Sequence, residues 1–265
     1  MPKICICFYG LAQRSIKYTI ASIKKNILQV LSNHRVDCDI FLHTYDTQIS
    51  HSPRAGEINI QVDVNDYKLL NPNNFIIDSY EAIDESYNID DFKTRYNDPW
   101  QDDYESVKNW IRELNSHYRV TELWIDNKDK YDFCVYLRPD LTYVTPFPLN
   151  YILNNLQNKK SAIFTLPWNK WGGLNDFLAV GDCDSMILWG KRLDILHEYM
   201  SRIGNNSEQL IEYIREKYQI TNVDLPMLCY RTRANGNKHS ETWSRVDHKE
   251  IKEKCIREGG EINID

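Results

Sequence analysis

Residues 3–44 constrain the fold more than any other stretch. An apolar run at 3–9 (KICICFY) is ended by Gly10. Residues 14–31 then place Ile16, Ile20, Ile23, Ile27 and Leu31 at helical spacing, with lysines on the opposite face. A second apolar run at 38–44 follows the turn at 34–37. Strand, helix and strand in that order form a β-α-β unit, and its right-handed crossover makes the two strands parallel. Strands apolar on both faces belong to a sheet covered by helices on each side.

The same alternation continues. Residues 57–62 read as a short third strand. Residues 65–100 are polar, rich in Asn, Asp and Tyr and weakly periodic, which suits short helices and loops forming a flap. Residues 102–128 read as a long helix, with Val107, Ile111, Leu114, Tyr118 and Leu123 roughly in phase. Further strands are expected at 133–137, 161–166, 177–180 and 227–233, and helices at 184–202 and 207–218. The second of these is begun by Ser207, with Glu208 in its first turn. With neither repeats nor a Ser/Gly linker, one domain over 1–265 is the expectation. It divides into a β-α-β half at 1–64, a helical insert at 65–130, a second half at 131–238 and a charged tail at 239–265.

Composition narrows the function classes. A net charge of −6 argues against nucleic-acid binding through a general basic surface. No stretch approaches the length of a membrane span, and the opening apolar run is too short for a signal peptide. The seven cysteines show no CxxC spacing, and Cys5, Cys7 and Cys134 fall on buried strands, as free reduced thiols do. A soluble, cytoplasmic protein is expected. The 17 Tyr and 7 Trp offer surplus rings for stacking on bases or sugars.

Four segments could carry chemistry. In YDFCVYLRPDLTYVTPF (131–147) the most apolar strand ends abruptly in Arg138-Pro139-Asp140. Ligands bind beyond the carboxyl ends of strands in open α/β sheets. There a carboxylate can hold a divalent metal and an arginine can grip a phosphate; equally, Asp140 can cap the turn after proline. In FYGLAQRS (8–15) a strand, a glycine and a helix start provide backbone amides for an anion, and Arg14 adds a charge. An ordinary turn with a solvent-facing arginine fits as well. In FLHTYDT (41–47), Tyr45 could stack on a base and Asp46 could accept from a base or ribose, while His43 is either a ligand or a bonded core histidine. In WNKWGGLND (168–176), Trp168 and Trp171 form an apolar platform beside Asn175 and Asp176, or pack inward. Asp176, desolvated by such rings, could act as a general base. Arg231, Arg233, Lys238 and His239 form a basic set after the last strand, fit either for a diphosphate or for solvent.

Taken in order, these segments resemble nucleotide-sugar glycosyltransferases of the GT-A type, of the kind found in bacterial polysaccharide loci and large DNA viruses. The likeness rests on FYGLAQRSIKYTIASIKKNIL, DIFLHTYDT, KYDFCVYLRPDLTYVTPF and GGLNDFLAVGDCDSM, with SEQLIEYIREKYQI before the final strand, and spans residues 3–233. It implies a GT-A-like (Rossmann-like) α/β fold with a mostly parallel, mixed central sheet flanked by helices. It implies transfer of a hexosyl or pentosyl unit from a UDP- or GDP-sugar to a hydroxyl of a glycan acceptor, with Mn2+ or Mg2+ on the diphosphate. Residue by residue, it assigns Gly10, Gln13 and Arg14 to the diphosphate end, Asp46 to the nucleoside, Asp140 to the metal and Asp176 to the acceptor. The residues themselves add Arg138, His43 and Tyr45 to the nucleotide-sugar site and Trp168, Trp171 and Asn175 to the acceptor, with Asp176 as the candidate catalytic base. The family motif is two aspartates one residue apart, and here the first position is Arg138. A non-catalytic nucleotide-sugar or carbohydrate-binding protein on the same fold is the alternative. A Rossmann-like methyltransferase ranks last, because the first turn lacks the glycines such enzymes use.

Overall fold

The computed structural model describes residues 2–157, 159 and 161–259. It opens with β1 (Lys3–Phe8), α1 (Ile16–Ile23), a π-helical turn (Lys24–Leu28), α2 (Gln29–Asn33) and β2 (Asp37–Tyr45). β1 and β2 are parallel, as the crossover rule requires. Side-chain alternation explains the two layers. Ile4, Ile6 and Phe8 point into one apolar cluster with Ile16, Ile23 and Ile27. Cys5, Cys7 and Tyr9 point into a second, opposite cluster.

After β2 the chain forms a side ribbon, β3 (Ile49–Ser52) paired antiparallel with β4 (Glu57–Gln61). The third strand expected at 57–62 therefore exists but stands apart from the main sheet. The stretch expected to be a helical flap contributes an edge strand, β5 (Asn74–Asp78), parallel to β2. Phe75 and Ile77 on it are exposed, so its sequence lacks the buried pattern that marks a strand. α3 (Tyr80–Ser86), α4 (Ile89–Arg95) and the long α5 (Glu105–Glu122) follow.

β6 (Phe133–Leu137) is buried throughout and lies parallel to β1. Past Pro139 the chain leaves the sheet as β7 (Leu141–Tyr143), followed by α6 (Leu149–Leu156) and β8 (Ala162–Thr165). β9 (Leu178–Gly181), α7 (Cys183–Gly190), α8 (Leu196–Arg202), α9 (Ser207–Lys217), β10 (Thr221–Asp224), β11 (Cys229–Arg231) and α10 (Lys249–Gly259) complete the fold. α9 begins at Ser207, as expected, and its cap is Asn206, whose side chain accepts from the Gln209 amide. The seven-stranded sheet runs β10-β8-β9-β6-β1-β2-β5. Only β9 is antiparallel to its neighbours in it. β7 pairs with β11 in a separate two-stranded piece beyond the end of β6. Among the described residues no helix is long and apolar enough to cross a membrane.

Candidate functional site

A cleft of about 130 Å³ opens where β1, β2 and β6 end, lined by Tyr9, Gly10, Arg14, Tyr45, Arg138 and Asp140 among others. This is the ligand-binding edge of an open α/β sheet. Gly10, at φ +90°, turns the chain out of β1 in a conformation that suits glycine. Its amide donates to Ser116 Oγ (2.7 Å), and that of Ala12 donates to Thr44 Oγ1 (3.0 Å), so protein groups already hold both.

Asp140 is 4% exposed and gripped by arginines. Arg138 donates to it from two nitrogens, Nε to Oδ1 (2.9 Å) and Nη2 to Oδ2 (3.0 Å). Arg14 Nη1 adds a third bond to Oδ2 at 3.2 Å. Burial pushes the carboxyl up, but the Arg138 guanidinium, with Arg14 behind it, holds it well below the usual carboxylate range. Arg14 is clamped in turn by Glu57, from Nε to Oε2 at 2.9 Å and from Nη2 at 2.8 Å. Glu57 also accepts from Ser50 Oγ (2.9 Å) and the Ala234 amide (2.8 Å). Arg138 Nη1 lies 3.4 Å from the Glu113 carboxylate.

These donors do not suit a divalent cation. Such an ion takes six or more oxygen ligands and gathers carboxylates around itself. Here Asp140, Glu57 and Glu113 each face a guanidinium, which takes up their acceptor oxygens and repels a cation. Among the described residues, the cluster of three or more candidate ligands is Cys5, Cys7 and Cys134, buried in the sheet with ligand atoms within 4.8 Å of one another. Strand register brings those thiols together, which sequence spacing does not show.

The β2 segment divides. Tyr45 lines the cleft, its ring 4.7 Å from that of Tyr80 and its hydroxyl donating to the Arg112 carbonyl (2.6 Å). His43 is a core histidine, with Nδ1 2.7 Å from Ser116 Oγ and Nε2 3.2 Å from Asp78 Oδ2. Burial lowers its pKa against the pull of Asp78, so it stays neutral. Gln13 is a buried clamp, donating to the Tyr45 and Thr47 carbonyls and accepting from Thr44 Oγ1. It ties the first turn to the end of β2, with its amide nitrogen and oxygen both engaged by the protein. Asp46 is exposed just past β2 and does not line the cleft.

In the tryptophan loop, Trp168 is 2% exposed, and its Nε1 donates to the Met227 carbonyl (3.1 Å). Phe177 and Trp243 pack against its ring. Asn175 staples the loop: Nδ2 donates to the Trp168 carbonyl (3.0 Å), and Oδ1 accepts from the Phe177 amide (2.9 Å). Both residues serve the core instead of an acceptor surface. Trp171 is 59% exposed and keeps a free ring. At Gly173 a Cβ would lie 2.0 Å from the Glu208 carbonyl oxygen, so only glycine lets the loop lie against α9.

Asp176 is buried, and its Oδ1 has no hydrogen-bond partner among the described residues. The Tyr9 hydroxyl fixes its backbone, donating to the Asp176 carbonyl (3.0 Å) and the Phe177 carbonyl (2.9 Å). Around it lies a set of buried polar groups that sequence reasoning missed. Arg192 is 1% exposed; Nη1 donates to the Trp189 carbonyl (2.7 Å), while Nε and Nη2 find no acceptor among the described residues. His117, its ring centroid 3.5 Å from that of Tyr9, has neither nitrogen bonded. Burial, with Arg192 and Arg138 nearby, holds it neutral. Burial also raises the Glu113 carboxyl, against the pull of Arg138. Glu208 is pushed up to about 8 by burial and by Asp176. One signal was available: Glu113 and His117 are polar residues four apart, on the face of α5 that also carries Trp110 and Leu114.

The basic set is also divided. Arg231 is paired with Glu241 (2.9 Å) and stacks on Phe177. Lys238 and His239 are exposed. Arg233 is half-buried, and its guanidinium has no carboxylate partner among the described residues. Burial, with Arg14 and Arg231 nearby, lowers its pKa to about 10.

No protein-family model matches the sequence, and no curated protein matches it. Among solved structures, the chain is similar to mouse xyloside xylosyltransferase 1 in its apo form. The two are 12% identical, with 85% of each chain covered and a TM-score of 0.41. It is similar to a glycosyltransferase involved in the glycosylation of the major capsid of PBCV-1, at 12% identity, covering 84% of this chain and 81% of that one, TM-score 0.41. It is also similar to the apo form of the glycosyltransferase GlyE of Streptococcus pneumoniae TIGR4, at 14% identity and TM-score 0.41. That match covers 84% of this chain and 45% of GlyE.

Proposed function

We propose that this chain is a glycosyltransferase that moves a sugar from a nucleoside diphosphate, UDP or GDP, to a hydroxyl of a glycan acceptor. The observation that carries this reading is the junction at Arg138. On one side lies an arginine-lined cleft at the carboxyl ends of three parallel strands. On the other lies a buried set of unsatisfied donors and acceptors around Asp176. A diphosphate sugar needs that succession: cations for the leaving group, then hydrogen-bonding groups for the hydroxyls of the sugar.

On this reading the nucleoside lies along Tyr45 and Tyr80, and the diphosphate meets Arg14 and Arg138. The sugar reaches toward Asp176, Glu113 and Arg192. As the bond from the anomeric carbon to the diphosphate oxygen breaks, its electron pair passes to the phosphate and the guanidiniums stabilise the added charge. The acceptor oxygen bonds to the anomeric carbon and gives up its proton. Asp176 Oδ1 is the acceptor of that proton in an inverting reaction; in a retaining one it orients the sugar, and the departing phosphate oxygen takes the proton. Trp171 supplies the exposed ring for the acceptor. The buried free thiols suit a reducing compartment, and the cytoplasm is the location this reading carries.

A panel of uridine, guanosine and thymidine diphosphate sugars tests the proposal by thermal shift, followed by release of the nucleoside diphosphate. One donor should raise the melting temperature and be slowly hydrolysed to water. Stabilisation without hydrolysis or transfer would favour the non-catalytic binding protein, which the mutual neutralisation of Arg138 and Asp140 also suits. No shift with any donor would overturn the reading.

A further inference from the structure

We propose that the donor diphosphate is neutralised by the guanidinium groups of Arg14, Arg138 and Arg233, with no divalent cation taking part in holding it. This rests on the donor-binding reading above and deepens it.

The argument begins with what Asp140 does. A carboxylate kept for a metal presents free lone pairs to the cleft. Asp140 instead spends both oxygens on three guanidinium bonds from Arg138 and Arg14. It is thus a positioning residue for two arginines. Glu57 does the same for Arg14 from the other side, and is itself fixed by Ser50 and the Ala234 amide. A guanidinium has five N–H groups in a rigid plane, and bonding some of them to buried carboxylates leaves the rest aimed in one direction. Arg14 and Arg138 both line the cleft. They are therefore held ready for a second anion, with little side-chain entropy left to lose on binding.

The second step is the charge balance. Arg14 and Arg138 are offset by Glu57, Asp140 and Glu113, and Arg231 by Glu241. Arg233 makes no direct ion pair among the described residues, and Asp140 and Glu57, which act on it at longer range, are already bonded to the other arginines. It follows β11, and the next residue donates its amide to Glu57, which brings it to the Arg14 side of the cluster. An unpaired, half-buried cation beside two others is unfavourable without an anion, and a diphosphate supplies one. Its depressed basicity, caused by burial and by Arg14 and Arg231, is the expected mark of that crowding.

Calorimetry with inorganic pyrophosphate, UDP and GDP tests this, each titrated once with EDTA and once with manganese. The expected result is binding of pyrophosphate and of one nucleoside diphosphate in EDTA, changed less than about threefold by manganese. Arg233→Ala should weaken both about tenfold, the worth of one charge-assisted hydrogen bond, and leave the melting temperature of the free protein unchanged or raised. Arg233→Lys should restore most of the loss. A nucleoside diphosphate that binds at least about tenfold more tightly with manganese, and is indifferent to Arg233→Ala, overturns the arginine site while leaving the donor reading intact. Failure of pyrophosphate and both nucleotides to bind under either condition overturns both.

Discussion

Two loops at the same edge of the sheet carry the most suggestive residues of the sequence, and the structure uses them in opposite ways. The turn Arg138-Pro139-Asp140 places its charges where the cleft is, and gathers partners from far along the chain: Arg14, Glu57 and Glu113. The loop at residues 168–176 turns its first tryptophan and both of its asparagines inward and leaves Trp171 exposed. The difference follows from solvation. A buried carboxylate or guanidinium needs a counter-charge, so charges at a strand end assemble into a site. An indole gains by burial, and its single N–H is satisfied by one carbonyl, so an aromatic loop collapses into the core unless something holds it out.

Trp168→Ala should produce the largest effect on stability. Removing a buried indole wedged between Phe177 and Trp243 costs about 3–5 kcal/mol. Urea denaturation measures this, and the protein that remains folded should bind nucleoside diphosphate as the parent does. A variant of unchanged stability would mean that Trp168 is a ligand platform after all. Asp140→Asn comes next, at about 3 kcal/mol, because two buried guanidiniums lose their shared counter-charge. From the sequence alone Asp140 reads as a group in an accessible cleft, whose loss would barely touch folding. Its 4% exposure reverses that expectation. An unchanged urea midpoint would erase the contrast between the two loops.

The sequence made the first loop legible because an apolar strand ends there in charges, and strand ends are where such sheets bind. The β-α-β opening was equally plain, since an unbroken apolar run gives way to a 3.6-residue period and then to a second apolar run. The edge strand Asn74–Asp78 was not, because its apolar residues face solvent and pattern by burial finds nothing to read. The polar set around Asp176 was hidden for another reason. Glu113, His117 and Arg192 lie on helices, far from any strand end, and converge only after α5 and the segment before α8 pack on the sheet. Pairings such as Arg14 with Asp140, 126 residues apart, follow from topology and not from spacing.

Glu208 sharpens the comparison on the electrostatic side. Asp140 is buried against arginines and held down, whereas Glu208 is partly buried near Asp176 and pushed up to about 8. Between the ordinary carboxyl range and about pH 8, folded Glu208 therefore keeps a proton that the unfolded chain has released. Stability contributed by this group falls as pH rises through that window. Glu208→Gln removes the dependence. It should be more stable than the parent at pH 8, and nearly indistinguishable at pH 4 where the carboxyl is largely protonated in both states. Denaturation at the two pH values measures the difference. A variant less stable at pH 8 would show that Glu208 is ionised and paired in the folded protein.

Trp171→Ala should have the smallest effect on stability and the most selective effect on function. The side chain is exposed, and its backbone sits at φ +41°, so the fold neither gains from the ring nor prefers a bulky residue there. Stability should change by less than about 0.5 kcal/mol, as at other exposed positions. An exposed indole held on a strained turn is a surface the core does not need, and an acceptor sugar is what such a ring stacks on. The acceptor KM should therefore rise by about threefold to tenfold, with kcat and donor affinity unchanged, since stacking binds the ground state and transition state alike. Steady-state kinetics with varied acceptor separates the two constants. A drop in stability with no change in KM would mean that the second loop is core along its whole length, and that the acceptor is held elsewhere along the cleft.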